Sequence, residues 1–242
     1  MFLSTIVIYQ RALINLKRLS IIEICSAVMT ELQIISAISA VIGLAIVIKN
    51  TDFLQLVNDS AFQHRFFGAS AAVFVLWIFR VGIVDELQVH FLWLTSLALI
   101  LGFRWAIISS TIVLLGVTIV GYEKFSMLGI NWILGVLVPI SITYAIFSLT
   151  FHKLPKNLFI YLFLCAFFPG AITVALKIIT MAGYFYLDTN LGWDVIFQNY
   201  VLLIPLLIFS EAFFNGFTMT SLVIHKPQWV YTFHDKFYID GK

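Results

Sequence analysis

Long apolar stretches separated by short polar segments dominate the chain of 242 residues. Most stretches are about 17 to 25 residues long, enough for an α-helix to cross roughly 30 Å of hydrocarbon. A transmembrane β-barrel would instead show alternating segments of about ten residues. The pattern predicts seven membrane helices, the third of them short: Leu32–Ile48, Phe66–Val84, His90–Phe103, Trp105–Val120, Leu128–Leu149, Leu158–Ala182 and Val195–Ile224.

Composition supports the same fold class. Hydrophobic residues make up 62% of the chain and charged residues 11%, whereas a soluble domain carries about 25% charged residues. We therefore predict an all-α, polytopic helical bundle in which residues 29–225 form one membrane domain. Pro139, Pro169 and Pro205 each remove a helix hydrogen bond, which predicts kinks in the last three helices.

The two ends of the chain differ from this domain. Residues 1–28 are basic and helical in pattern, which suits a peripheral helix on a membrane surface. They show no small-residue cleavage site after an apolar core, so we assign no signal peptide. A translation start at Met29 is the alternative. Residues 226–242 form an aromatic tail, for which rings at headgroup level are favoured over a docking surface.

Basic residues predict the orientation of the bundle. Seven crossings place one group of lysines and arginines on one side: Lys49, Arg65, Arg104, Lys153, Lys156, Lys226, Lys236 and Lys242. The other side holds Arg11, Lys17, Arg18 and Lys124. The positive-inside rule then places the N-terminus outside and the tail in the cytoplasm.

Several polar residues fall near the predicted outer surface. His90 lies where a polar loop becomes apolar, and Arg80 and Lys177 lie inside predicted helices at similar depth. An ionised residue at mid-membrane costs about 2.5–3.5 kcal/mol, so such residues normally have a function or a partner. Snorkelling to headgroups is an equally good explanation for the two long cations, and wetting by headgroups is the simpler explanation for His90.

Glu211 is deeper in the last predicted helix and has no such route to water. The sequence leaves three states open for it: protonated, paired with a cation, or bound to backbone donors of a broken helix. Because its depth differs from that of His90, we do not expect the two to act together.

Three stretches resemble the CbiM/NikM membrane components of cobalt and nickel transporters of the energy-coupling-factor type. The segment LQVHFLWLTSLALILGFRWAI is similar to the family's histidine segment and places His90 at the histidine position. LGIN, ending at Asn131, is similar to the family's LGxN motif. EAFFNG begins at Glu211, contains Asn215 and is similar to the family's last helix. The tail resembles a divergent proteobacterial branch.

The resemblance implies a permease or substrate-capture component of an ABC transporter in the bacterial inner membrane. Its partners would be two cytoplasmic ATPases and a transmembrane scaffold, because the chain contains no GxxxxGK[ST] loop. The cargo would be a divalent transition metal, with no permanently bound cofactor and no nucleic acid. We find no HExxH, Ser-His or Cys-His arrangement, so we predict that the protein is not an enzyme.

The chain departs from the family at the metal site. The family's mature chain begins Met-His, whereas this one begins Met1-Phe2, or Met29-Thr30 with the later start. The remaining candidate ligands are His90, Asp85 and Glu86. Arg80 and Lys177 would repel a divalent cation but would suit an anionic cargo. A solitary membrane binding or scaffold protein on the same fold is the alternative to transport.

Overall fold

The computed structural model describes residues 29–82, 84, 87–234 and 238. We number the main helices formed by these residues α1 to α9: α1 (Glu31–Lys49), α2 (Leu54–Asn58), α3 (Ser60–Ile78), α4 (Leu94–Leu101), α5 (Phe103–Val120), α6 (Phe125–Lys153), α7 (Leu158–Asp188), α8 (Trp193–Asn199) and α9 (Ile204–His225). In this part of the chain there is no β-sheet, only one isolated antiparallel bridge between Val81 and Val89. The predicted all-α bundle is confirmed.

Six segments are long and apolar enough to span a membrane, namely α1, α3, α5, α6, α7 and the stretch Trp193–His225. The predicted third helix, His90–Phe103, was wrong over its first four residues, because α4 begins at Leu94. Val81 and Val89 exchange two backbone hydrogen bonds of 2.9 and 2.8 Å, which hold the start of this segment extended. Trp93 then has φ of +51°, a left-handed conformation that a continuous helix does not contain.

The chain nevertheless crosses the bundle at this segment. At one end, the amides of Tyr231 and Thr232 donate to the carbonyls of Ile100 and Leu99, the last turn of α4. We call this the tail end. At the opposite end, Arg80 donates to the carbonyl of Tyr122 at 3.0 Å, so the end of α3 meets the end of α5. The stretch between α3 and α5 therefore runs from one end to the other, and α4 is the α-helix among its described residues.

Hydrogen bonding departs from the α-helical pattern before each interior proline. A π-helical segment, Ile133–Leu137, precedes Pro139, and a second, Tyr161–Phe167, precedes Pro169. A short 3-10 turn comes before Pro205. Since proline has no N–H to donate, a carbonyl one turn earlier loses its partner and the local hydrogen-bond register shifts.

Part of the aromatic tail is packed into the bundle. Phe233 and Tyr238 are buried, and their rings lie 5.1 and 5.0 Å from that of Tyr161. The Thr232 hydroxyl lies 2.7 Å from the Tyr161 hydroxyl. The favoured interpretation of rings at headgroup level was therefore wrong for these two residues, because α7 offers them an aromatic contact. The exposed ring of Tyr231 remains compatible with a position at headgroup level.

Gly129 in the LGIN motif lets α6 approach α1 closely. A Cβ atom built on Gly129 would overlap the backbone of Ser36 and Ala37 in α1. Small residues at such crossings are a common way for membrane helices to pack, because van der Waals contact replaces the hydrophobic effect there.

We predict that Gly129→Ala destabilises the bundle, because backbone atoms cannot move aside as a flexible side chain can. Overpacking of this kind costs about 1–3 kcal/mol, and the melting temperature of the detergent-solubilised protein should fall. Gly183→Ala is the matched control, since a Cβ there meets nothing within 4 Å. Equal melting temperatures for the two variants would contradict the close contact.

Candidate substrate cavity

A cavity of about 760 Å³ lies at the end of the bundle opposite the tail. This volume is within the roughly 300–1,000 Å³ of typical small-molecule sites. The helices α1, α3, α5, α6, α7 and the extended segment before α4 all contribute to its wall. Its polar lining includes Gln33, Arg80, His90, Glu123, Asn131, Lys177 and Tyr200. The bundle thus brings Arg80, His90, Asn131 and Lys177 together in the wall of one cavity.

Arg80 follows the C-terminal end of α3 and is held in place by a network of hydrogen bonds and an ion pair. Its Nη1 lies 2.6 Å from Glu123 Oε1, and its Nε donates to the Trp77 carbonyl at 3.0 Å. Asn131 Nδ2 donates to the other Glu123 oxygen at 2.7 Å. The Arg80 side chain is only 8% exposed, and its Nη2 is buried without a hydrogen-bond partner among the described residues. Burial by protein excludes the snorkelling explanation for Arg80.

Glu123 was missed by the sequence analysis. A single acidic residue in a short loop carries no periodic pattern that would mark it. Its position eight residues before Asn131 in the LGIN motif was the available clue. Both of its oxygens are engaged, one by Arg80 and one by Asn131, so it positions those two side chains.

His90 lines the cavity with one ring nitrogen that can accept a hydrogen bond or bind a metal. Its Nδ1 lies 3.0 Å from the Phe91 carbonyl, which can only accept, so Nδ1 carries the hydrogen and Nε2 remains an acceptor. The ring packs on Trp77 with centroids 5.0 Å apart.

Lys177 projects from the middle of α7 into the cavity. It is 6% exposed, so it does not snorkel to a headgroup. Within the described ranges, no hydrogen bond or ion pair engages its ammonium group. A buried cation in this state has lost its hydration without gaining a partner, which is costly.

Glu211 lies outside the cavity lining and holds the start of α4. Its Oε2 accepts from the Leu92 amide at 3.1 Å and its Oε1 from the Trp93 amide at 2.5 Å. Glu211 is 1% exposed. The structure therefore shows the third of the states left open by the sequence, contact with backbone donors of a broken helix.

Asn215 completes this cap one turn further along α9. Its Oδ1 accepts from both the amide and the hydroxyl of Ser96, each at 2.8 Å, and its Nδ2 donates to Glu211 Oε1 at 2.9 Å. The first amides of a helix have no partner within the helix. Here two side chains of another helix supply the acceptors.

The proposed metal ligands are only partly visible. Asp85 and Glu86 lie outside the described residues, as does Cys25. In the part of the chain that the structure describes, no group of three or more histidine, cysteine, aspartate or glutamate side chains could hold a metal ion. Cys165 is buried as a free thiol. His90 is therefore the one described member of the predicted ligand set.

The sequence profile of a known family, CbiM, the cobalt uptake substrate-specific transmembrane region, matches residues 22–229. The chain belongs to the CbiM family. The resemblance stated from the three motifs is thereby confirmed, and the protein is a membrane component of metal-uptake transport by family. No curated protein sequence matches the chain.

Two solved structures share the fold of this CbiM-family chain. A crystal structure described as a truncated transition metal transporter is 20% identical, with a TM-score of 0.66 over 80% of this chain and 94% of that one. A second, described as a transition metal transporter, is 20% identical, with a TM-score of 0.63 over 79% of this chain and 88% of that one. At this identity they support the fold alone.

We predict that Glu211→Ala destabilises the protein, because the amides of Leu92 and Trp93 are left buried and unpaired. Each unpaired amide costs about 1–3 kcal/mol. Glu211→Gln keeps one acceptor oxygen and should lose less. Ser210→Ala, at the exposed neighbouring position, is the control. Thermal unfolding in detergent measures all three, and a Glu211→Ala protein as stable as the control would contradict the capping role.

Proposed function

We propose that this protein is the substrate-capture component of an energy-coupling-factor type ABC transporter in the bacterial inner membrane. The proposed cargo contains a divalent transition metal such as cobalt or nickel. The observation that carries the proposal is a polar cavity, at one end of a CbiM-family bundle, that is large enough for a small solute. The solved transition metal transporters of the same fold are consistent with it.

We propose that the cavity opens to the outside of the cell. The tail end carries Arg65, Arg104 and Lys153, and the positive-inside rule assigns such an end to the cytoplasm. The N-terminal end of α1 and the cavity then lie outside, where an uptake protein meets its cargo. Lys49, at the C-terminal end of α1, supports the same orientation.

We propose that partner subunits supply the energy. The sequence contains no nucleotide-binding loop of the GxxxxGK[ST] type, so ATP hydrolysis requires other chains. The proposed partners are two cytoplasmic ATPases and a transmembrane scaffold subunit, in addition to the lipid bilayer. The proposed role is capture and release of cargo rather than catalysis, with no permanently bound cofactor.

The test is co-purification from native membranes. We predict that the tagged chain, expressed at its natural level and extracted in mild detergent, carries with it two proteins with nucleotide-binding loops and a second membrane protein. An unrelated tagged membrane protein from the same cells is the control. Repeated recovery of the chain without any ATPase would contradict the transporter assignment and would favour a solitary membrane binding protein.

A further inference from the structure

Among the described residues, the Lys177 ammonium has no anion at ion-pair distance, and Arg80 has a second nitrogen left over after its ion pair with Glu123. The Nη2 of Arg80 is buried without a partner, and the Lys177 ammonium lies in the cavity wall, buried and unpaired among the described residues. An uncompensated buried charge is among the more expensive features of a folded protein. The bundle tolerates this arrangement in the wall of its polar cavity, which points to a ligand that brings the missing negative charge.

The two carboxylates that the structure describes near these cations, Glu123 and Glu211, are already engaged. Glu123 is the acidic residue among the described cavity-lining side chains, and both of its oxygens are taken by Arg80 and Asn131. Glu211, deeper in the bundle, uses its oxygens on the amides of Leu92 and Trp93. Neither acid places an oxygen within ion-pair distance of Lys177.

A bare metal ion does not suit this lining. His90 offers one neutral nitrogen, and two neighbouring cationic side chains repel a divalent ion. A cavity of about 760 Å³ is also far larger than such an ion requires. A small organic acid fits better, because its carboxylates would satisfy Arg80 and Lys177 through charge-assisted hydrogen bonds.

We propose that the cavity binds a small polycarboxylate anion, and that metal enters this site as the chelate of that anion. Lys177 and the free Nη2 of Arg80 bind the carboxylates, and His90 Nε2 faces the chelated metal as one further ligand. This inference rests on the proposed function for the metal, but the anion site stands on the cavity alone. The carboxylate could arrive free or carrying metal, and the test separates the two.

The experiment is isothermal titration of the full chain in nanodiscs, in a buffer that does not bind metals. The probes are citrate, the cobalt–citrate complex, cobalt chloride and the neutral triamide of citric acid. We expect citrate and cobalt–citrate to bind, and the triamide and cobalt chloride not to bind. Comparison of citrate with its triamide uses the wild-type protein. It therefore tests whether binding needs the carboxylate charge even if a variant fails to fold.

Variants then locate the site. Lys177→Met and Arg80→Gln should each weaken cobalt–citrate binding by about tenfold or more, because each removes a charge-assisted contact. Lys153→Met, an exposed lysine at the tail end, should leave binding unchanged. Weaker cobalt–citrate binding in His90→Ala, with citrate binding unchanged, would identify the metal chelate as the cargo. Equal effects on both would identify the free carboxylate.

Three results would overturn the proposal. The first is binding of cobalt chloride without a chelator, especially if Lys177→Met strengthens it. The second is equal binding of citrate and its triamide. The third is no binding of any polycarboxylate. Co-purification of ATPases is independent of these titrations. If ATPases co-purify but no carboxylate binds, only the anion site is overturned. If a carboxylate binds but no ATPase co-purifies, only the transporter assignment is overturned.

Discussion

The structure depends on how a helix can begin inside a membrane bundle. The first amides of α4 have no partner within the helix, and no bulk water is available at that depth to bind them. Glu211 and Asn215 of α9 supply the acceptors for Leu92, Trp93 and Ser96. This cap lets the preceding residues leave helical geometry, and the extended segment they form carries His90 to the wall of the cavity.

The contacts of Glu211 and Glu123 also determine which charges in the cavity remain unpaired. Glu211 is used to start a helix and Glu123 is used to hold Arg80 and Asn131 in place. Lys177 is left without a partner within the part of the chain that the structure describes. Among the described lining residues, the Glu123 carboxylate is thus paired, His90 offers a neutral acceptor and Lys177 is an unpaired cation. This arrangement favours a ligand with carboxylates over a naked cation.

Hydropathy predicted most of the fold, because each long apolar segment must form a helix to satisfy its own backbone in lipid. It failed at the segment from His90 to Trp93, where the deciding contacts come from Glu211, up to 119 positions away in sequence. Burial of Lys177 likewise depends on packing between helices, so the sequence left snorkelling open. The tail shows the same limit, because Phe233 finds its aromatic contact on α7.

The order and spacing of the motifs, rather than any one of them, were sufficient to recognise the family. The predicted topology placed Arg80, His90, Asn131 and Lys177 on one side of the membrane, and all four line the cavity. Glu123 could not be selected this way, because its role appears only when the ends of α3, α5 and α6 meet.

The most direct measurement is a crystal structure of the protein with cobalt–citrate, using anomalous scattering at the cobalt edge. The account predicts a cobalt peak in the cavity beside His90 Nε2, with chelator carboxylates within hydrogen-bond distance of Lys177 Nζ and Arg80 Nη2. Cobalt bound by protein atoms alone, with no chelator between it and the two cations, would contradict the account.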